Sequence, residues 1–154
     1  MKKFFISLVI LFSIHSLYAQ SATVVTEILN SEKATFGQLC YIVAVHEGLV
    51  RDSASYTDAI DVLFQKGQIP SYAYEDAYVP YANLAYLYAK IFKVKGGLMF
   101  RIFHGAPRYA FKQLKYDGII SENALPDSLV SGQKLLDIYT ACMIKYSDFK
   151  LSAE

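Results

Sequence analysis

The stretch Val79–Ile120, VPYANLAYLYAKIFKVKGGLMFRIFHGAPRYAFKQLKYDGII, reads as a complete helix–loop–helix unit and decides the fold. Its front half places Leu84, Leu87, Tyr88 and Ile91 at i, i+3, i+4 and i+7, the spacing of one apolar helix face. Its back half, Ala110-Phe111-x-x-Leu114-x-x-x-Gly118-x-Ile120, restates an upstream phrase, Ala59-Ile60-x-x-Leu63-x-x-x-Gly67-x-Ile69. Every matched position is displaced by 51 residues (110 − 59, 114 − 63, 118 − 67, 120 − 69). A constant offset of this size marks a repeat architecture, in which each unit buries its apolar face by stacking on its neighbours.

Upstream, Leu39, Ile42, Val43 and His46 carry the same stripe 45 residues before Leu84, Leu87, Tyr88 and Ile91. Thr35 is a natural cap for that helix and Gly48 a natural stop. Its partner runs from Tyr56 to Phe64 and ends at Lys66-Gly67. In the central unit Pro80 suits a first helical turn, and Pro107 starts the helix that ends at Asp117-Gly118. Between them, Leu98 to His104 can form a turn or two with Met99, Ile102 and Phe103 on one side. Downstream, Ser131 caps a third front helix with Leu135, Ile138, Tyr139 and Cys142, a further 51 residues on. Its partner helix is expected to be missing or degenerate.

Nothing alternates with period two for long enough to argue a sheet. The expected fold is all-α: helical hairpins, two pairs plus a third front helix, packed as one pseudo-repeat bundle over 34–146. Residues 20–33 form a lead-in, a tether or a short first helix ending near Asn30, and 147–154 a tail. The incomplete third unit leaves room for a second copy to complete the bundle, so a homo-oligomer is a candidate state.

Residues 1–19 open the chain as a secretory signal. Lys2 and Lys3 make the positive end, Phe4 to Leu17 the apolar stretch, and Ala19 a small residue for cleavage. A membrane anchor is the alternative, but the run is shorter than the ~20 residues a span needs. Removing the signal takes Lys2 and Lys3 from the 15 basic residues and leaves 13 against 14 acids, a net charge of −1. Roughly 135 residues then make one domain. The chain is expected to be exported, periplasmic or envelope-associated.

The near-zero net charge is unevenly spread. From Lys90 to Tyr116 there are seven basic residues (Lys90, Lys93, Lys95, Arg101, Arg108, Lys112, Lys115) and no acid. From Glu27 to Asp76 there are eight acids against three bases. Such a pattern suits either an anion-facing surface or mutual neutralisation within the domain. Cys40 and Cys142 leave two states open: a disulfide, which export permits, or free thiols buried on helix faces.

The spacing resembles that of S-layer homology repeats, in which a helix, a loop and a second helix ending in a Gly-x-Ile-type turn recur, often as three units. The likeness covers Thr35 to Met143 and rests on phrases such as Asp58-Ala59-Ile60…Gly67-Gln68-Ile69-Pro70. It implies a module anchored to an anionic cell-wall polymer. That family's ligand-binding feature is a Thr-Arg-Ala-Glu tetrad at the start of each front helix. Here the corresponding positions read Thr35-Phe36-Gly37-Gln38, Pro80-Tyr81-Ala82-Asn83 and Ser131-Gly132-Gln133-Lys134, with neither the Arg nor the Glu in any copy.

Other residues must then hold an anion. Arg101, His104, Arg108 and Lys112 are the candidates for a carboxylate, phosphate or pyruvylated sugar. Arg108 and Lys112 lie one turn apart, and Pro107 sets Arg108 in a first turn whose free N–H groups and dipole favour negative charge. The competing expectation pairs the arginines with internal acids such as Asp58 or Asp61. Tyr72, Tyr74, Tyr78, Tyr81 and Tyr86 suggest an aromatic contact surface for sugars or protein, with Tyr88 in the core.

His46 beside Glu47 has no second His one turn on, so the zinc-protease motif is missing and a packed histidine is expected. Gly96-Gly97 lacks the Lys and further glycines of a phosphate loop. No catalytic residue, metal, cofactor or nucleic-acid partner is expected. The expected role is a non-catalytic envelope module contacting an anionic wall glycan; a periplasmic scaffold binding another protein through its tyrosines is the alternative.

Overall fold

The computed structural model describes residues 22–146, and these are helical with short connections. The expected signal over 1–19 and the tail over 147–154 lie outside the described residues. In chain order the helices are α1 (22–30), α2 (Phe36–His46), α3 (Tyr56–Gln65), α4 (Tyr81–Ile91), α5 (Leu98–Ile102), α6 (Pro107–Tyr116) and α7 (Gly132–Tyr146). Among the described residues no strand forms, only isolated bridges between Thr35 and Tyr78 and between Pro80 and Leu129. The all-α expectation is met.

Local chemistry sets the helix ends. The Thr35 hydroxyl accepts from Gln38 N–H while the Gln38 side chain accepts from Thr35 N–H, a reciprocal cap that Ser55 and Asp58 repeat on α3. The Ser55 hydroxyl, then its N–H, hold the Asp58 carboxyl below its usual range. Ser131 Oγ accepts from Lys134 N–H at the start of α7. Pro80 stands outside α4 as its N-cap and offers no side-chain bond. Gly67 (φ +64°) and Gly118 (φ +75°) end α3 and α6 in the left-handed conformation that a side chain resists, and there Gln68 N–H reaches back to Leu63 O and Ile119 N–H to Leu114 O.

Helix α2 packs chiefly on α3 and α4 chiefly on α6, while α7 lies against α4. The residues two before the starts of α2, α4 and α7 meet in a closed triangle. Ala34 N–H donates to Val130 O (2.7 Å), Val130 N–H to Val79 O (3.0 Å) and Val79 N–H to Ala34 O (3.0 Å). All three side chains are fully buried. One step further on, Phe36 N–H donates to Ala77 O, Tyr81 N–H to Ser128 O and Gly132 N–H to Ser31 O. Orphan N–H groups at three helix starts thus find carbonyls on the loop that leads into another of these helices rather than water.

Helix α1 gives α7 a neighbour that the sequence alone did not supply. Ser31, just after α1, serves α7 as Ala77 serves α2 and Ser128 serves α4. The core collects the apolar stripes, with Tyr88, Phe36, Leu39, Leu63, Leu84, Leu114 and Leu135 fully enclosed. Gln38 is the buried polar side chain there, and its Oε1 is within 3.2 Å of both Thr35 N–H and Ser31 Oγ. Cys40 and Cys142 are both buried as free thiols, so no disulfide joins them.

Candidate functional site

Helix α6 builds the site. Its start has Ala106 as N-cap, which offers no side-chain acceptor, and Pro107 at the first position. Ala110, Phe111 and Leu114 face the core, which turns Arg108 and Lys112 outward on the opposite side. Arg108, Phe111, Lys112, Lys115, Tyr116, Glu122 and Pro126 line a cleft of about 420 Å³.

Lys115 is already engaged. Its Nζ donates to the carbonyls of Glu122 and Ala124 and lies 5.5 Å from the Phe111 ring centroid. It pins the loop after α6 against the helix and so shapes the cleft floor. Lys112 Nζ lies 5.7 Å from the Tyr109 ring, a loose cation–π approach that leaves its donors available. Among the described residues the only ion pair joins Lys134 and Asp137 at 3.5 Å. Arg108 therefore forms no ion pair among the described residues, though Glu122 lines the same cleft, and Asp58, expected as its internal partner, spends its carboxylate on the Ser55 cap.

Arg101 and His104 do not line this cleft. Arg101 sits in the last turn of α5, and His104 follows in a left-handed turn (φ +51°) that leads into Gly105; both are exposed. The four cationic candidates thus divide into a cleft pair, Arg108 and Lys112, and two residues on the connection before α6. A second cleft, about 430 Å³, runs between α5 and α6 and shares Lys112 and Tyr116 with the first. Those two side chains form the ridge between the clefts. Tyr116 carried no helical-stripe signal, and its role depends on the loop that Lys115 holds beneath it.

The tyrosines divide as well. Tyr72, Tyr74 and Tyr78 stand exposed on the connector after α3. Tyr72 meets Phe36 edge-on at 6.2 Å and accepts from Asn83 Nδ2, and Lys33 lies over Tyr78. Tyr81 packs edge-on against Phe111 behind the α6 cleft, while Tyr86 lies under Lys90 at 4.5 Å. The five tyrosines thus lie on two elements, the connector and α4. Tyr88 is core, as expected, and its hydroxyl donates to Leu135 O at 3.1 Å.

His46 is exposed rather than enclosed, because α2 ends at that residue. Its ring still leans on Phe92 (5.0 Å) and Tyr139 (5.7 Å), and Nδ1 lies 2.8 Å from the Tyr139 hydroxyl. It borders a further cleft of about 550 Å³ with Lys93, Lys95 and Lys145, where Lys145 Nζ donates to Asp117 O. The Tyr146 hydroxyl bonds the Asp117 carboxylate, and burial first, then that carboxylate, push its pKa far up. Among the described residues no group of three His, Cys, Asp or Glu side chains is placed to hold a metal.

No protein-family model matches this chain, and no curated protein or solved structure matches it.

Proposed function

We propose that this protein is a non-catalytic, exported envelope module that holds an anionic wall glycan in the α6 cleft. The observation that carries this is the pairing of Arg108 and Lys112, exposed, one turn apart and without an acidic partner among the described residues. The exposed Tyr116 ring beside them suits a sugar face, while the two cations suit its carboxylate or phosphate. The hairpins act as S-layer-homology-like repeats in which α1 partners α7. In support of this, the same backbone bonds recur at the starts of α2, α4 and α7. The tetrad positions of that family have become structural here, since Phe36 and Gly132 are buried.

The test is retention of the mature chain, Gln20–Glu154, on purified cell-wall sacculi at low and high salt. Retention falls with salt, and Arg108→Ala/Lys112→Ala weakens it at least about tenfold, the loss of two charge-assisted hydrogen bonds. Equal retention of the double variant, shown to be helical, would remove the α6 cleft from the account. A second role, docking another envelope protein, is favoured by the cluster of exposed Tyr72, Tyr74 and Tyr78 on one connector. A defined cross-linked partner lost on Tyr74→Ala would support that role.

A further inference from the structure

The two hairpins differ mainly in their connections. The link from α4 to α6 is six residues longer than that from α2 to α3, the difference between the 51- and 45-residue offsets. Helix α5 occupies the longer link and buries none of its own residues. Leu98 is 71% exposed, Met99 59%, Ile102 53% and Phe103, just after the helix, 46%. At 100° per residue these four positions fall within an arc of about 140°. Four large apolar side chains together on one outward face are not incidental surface residues.

The structure holds that face outward. Phe100, on the opposite side of α5, packs toward the core and is clasped between Gly96 and Gly105. A Cβ at Gly96 would stand 2.4 Å from Phe100 Cγ, and one at Gly105 2.9 Å from Phe100 Cζ. Gly97 N–H donates to Gln113 Oε1 on α6 at 2.9 Å, and Phe103 stacks flat on Tyr109 at 4.3 Å. The link is therefore pegged at both ends and in the middle.

Charge identifies the occupant. Arg101 stands in α5 between Met99 and Ile102, Lys95 precedes Leu98 by three residues, both are exposed, and Lys90–Tyr116 holds no acid. Neither cation forms an ion pair among the described residues. A helix of five residues is too short to lay successive i, i+3, i+4 and i+7 anchors into a protein groove. An apolar tip with unpaired cations in and just before it instead complements a surface with hydrocarbon below and phosphate above.

We propose that α5 is a docking wedge for an anionic phospholipid bilayer, with Leu98, Met99 and Ile102 entering below the headgroups and Lys95 and Arg101 meeting lipid phosphates. The contact is peripheral, since no helix among the described residues is long and apolar enough to cross a membrane. Leu98, Met99 and Ile102 do not line the glycan cleft, but Leu98 and Met99 line the neighbouring α5–α6 cleft that shares Lys112 and Tyr116 with it, so the two surfaces adjoin.

The experiment places an environment-sensitive fluorophore on Met99→Cys in the full chain, with Tyr74→Cys as control. Cys40 and Cys142 are buried and do not compete for the label. Tyr74 lies by the start of α2, near the backbone triangle, whereas α5 follows the far end of α4. Vesicles of phosphatidylcholine with phosphatidylglycerol shift the signal at position 99 to the blue and leave position 74 unchanged. Pure phosphatidylcholine vesicles, or Lys95→Gln/Arg101→Gln on the anionic ones, give binding more than about tenfold weaker.

No shift at position 99 on anionic vesicles overturns the wedge, whatever sacculi binding shows. A shift produced by envelope proteins and not by vesicles also overturns it and makes α5 a protein dock. Loss of sacculi retention with the position-99 shift intact removes the glycan cleft alone.

Discussion

Gly132, the first residue of α7, lies so close to the carbonyl oxygen of Ile28 in α1 that a Cβ there would stand 1.6 Å from it. Gly132 N–H also donates to Ser31 O at 2.9 Å. The first and last described helices are thus joined backbone to backbone, at a separation that only glycine allows.

Gly132→Ala should therefore force α1 off the start of α7. The expected loss is about 3 kcal/mol, the upper range for overpacking a rigid site. Urea unfolding measures it. Gly97→Ala is the control: its new Cβ meets nothing nearer than Gln113 Oε1 at 3.8 Å, so stability changes by no more than about 0.5 kcal/mol. Equal midpoints for the two variants would contradict the joint.

Tyr88→Phe removes the hydroxyl that ties α4 to Leu135 O without opening a cavity. A loss of about 1 kcal/mol is expected for one buried hydrogen bond. Burial pushes the Tyr88 hydroxyl well above its usual pKa, so in the folded protein it stays protonated and absorbs as phenol above its ordinary titration range. A spectrophotometric tyrosine titration of wild type against Tyr88→Phe checks both statements.

The two cysteines begin the alkaline loss of stability, and the buried tyrosines add to it at higher pH. Burial pushes the Cys40 thiol from 9.0 up to about 12, and burial followed by the Asp117 charge does the same for Cys142. A raised folded pKa stabilises the fold fully below the unfolded value and is lost as pH climbs toward the folded one. The melting temperature should hold to about pH 9 and fall between about pH 9 and 12. At pH 8 a thiol reagent should label neither cysteine in the folded protein and both in denaturant.

Arg108→Ala/Lys112→Ala should leave stability within about 0.5 kcal/mol, because both side chains are exposed and make no ion pair among the described residues. Thermal melts check this beside the retention assay. A large destabilisation would mean that the pair serves the fold rather than a ligand.

Most helix limits were legible in the sequence because they depend on neighbours three or four residues away. Thr35 with Gln38, Ser55 with Asp58, and the glycines at 67 and 118 mark helix ends through bonds closed within one turn. The apolar stripes predicted the core, including Tyr88, Leu84, Leu39 and Leu135, since a helix that must bury one face declares it every three to four residues. His46 broke its stripe because the helix stops beneath it. Arg101 and His104 parted from Arg108 because the turn through Gly105 separates them, and sequence distance carries no direction.

By itself, the sequence determined an all-helical chain, its caps, its repeat offsets and its basic middle segment. All of these are local or compositional properties. Only the tertiary structure closed the triangle of Ala34, Val79 and Val130, set α1 against α7, committed Lys115 to the loop beyond α6, and left α5 apolar and outward. The triangle and the α1–α7 joint rest on backbone groups meeting across 45 residues or more, the Lys115 contact on a loop that the fold brings back over α6, and the α5 face on what packing leaves uncovered. No periodicity records which surface a folded chain will leave unused.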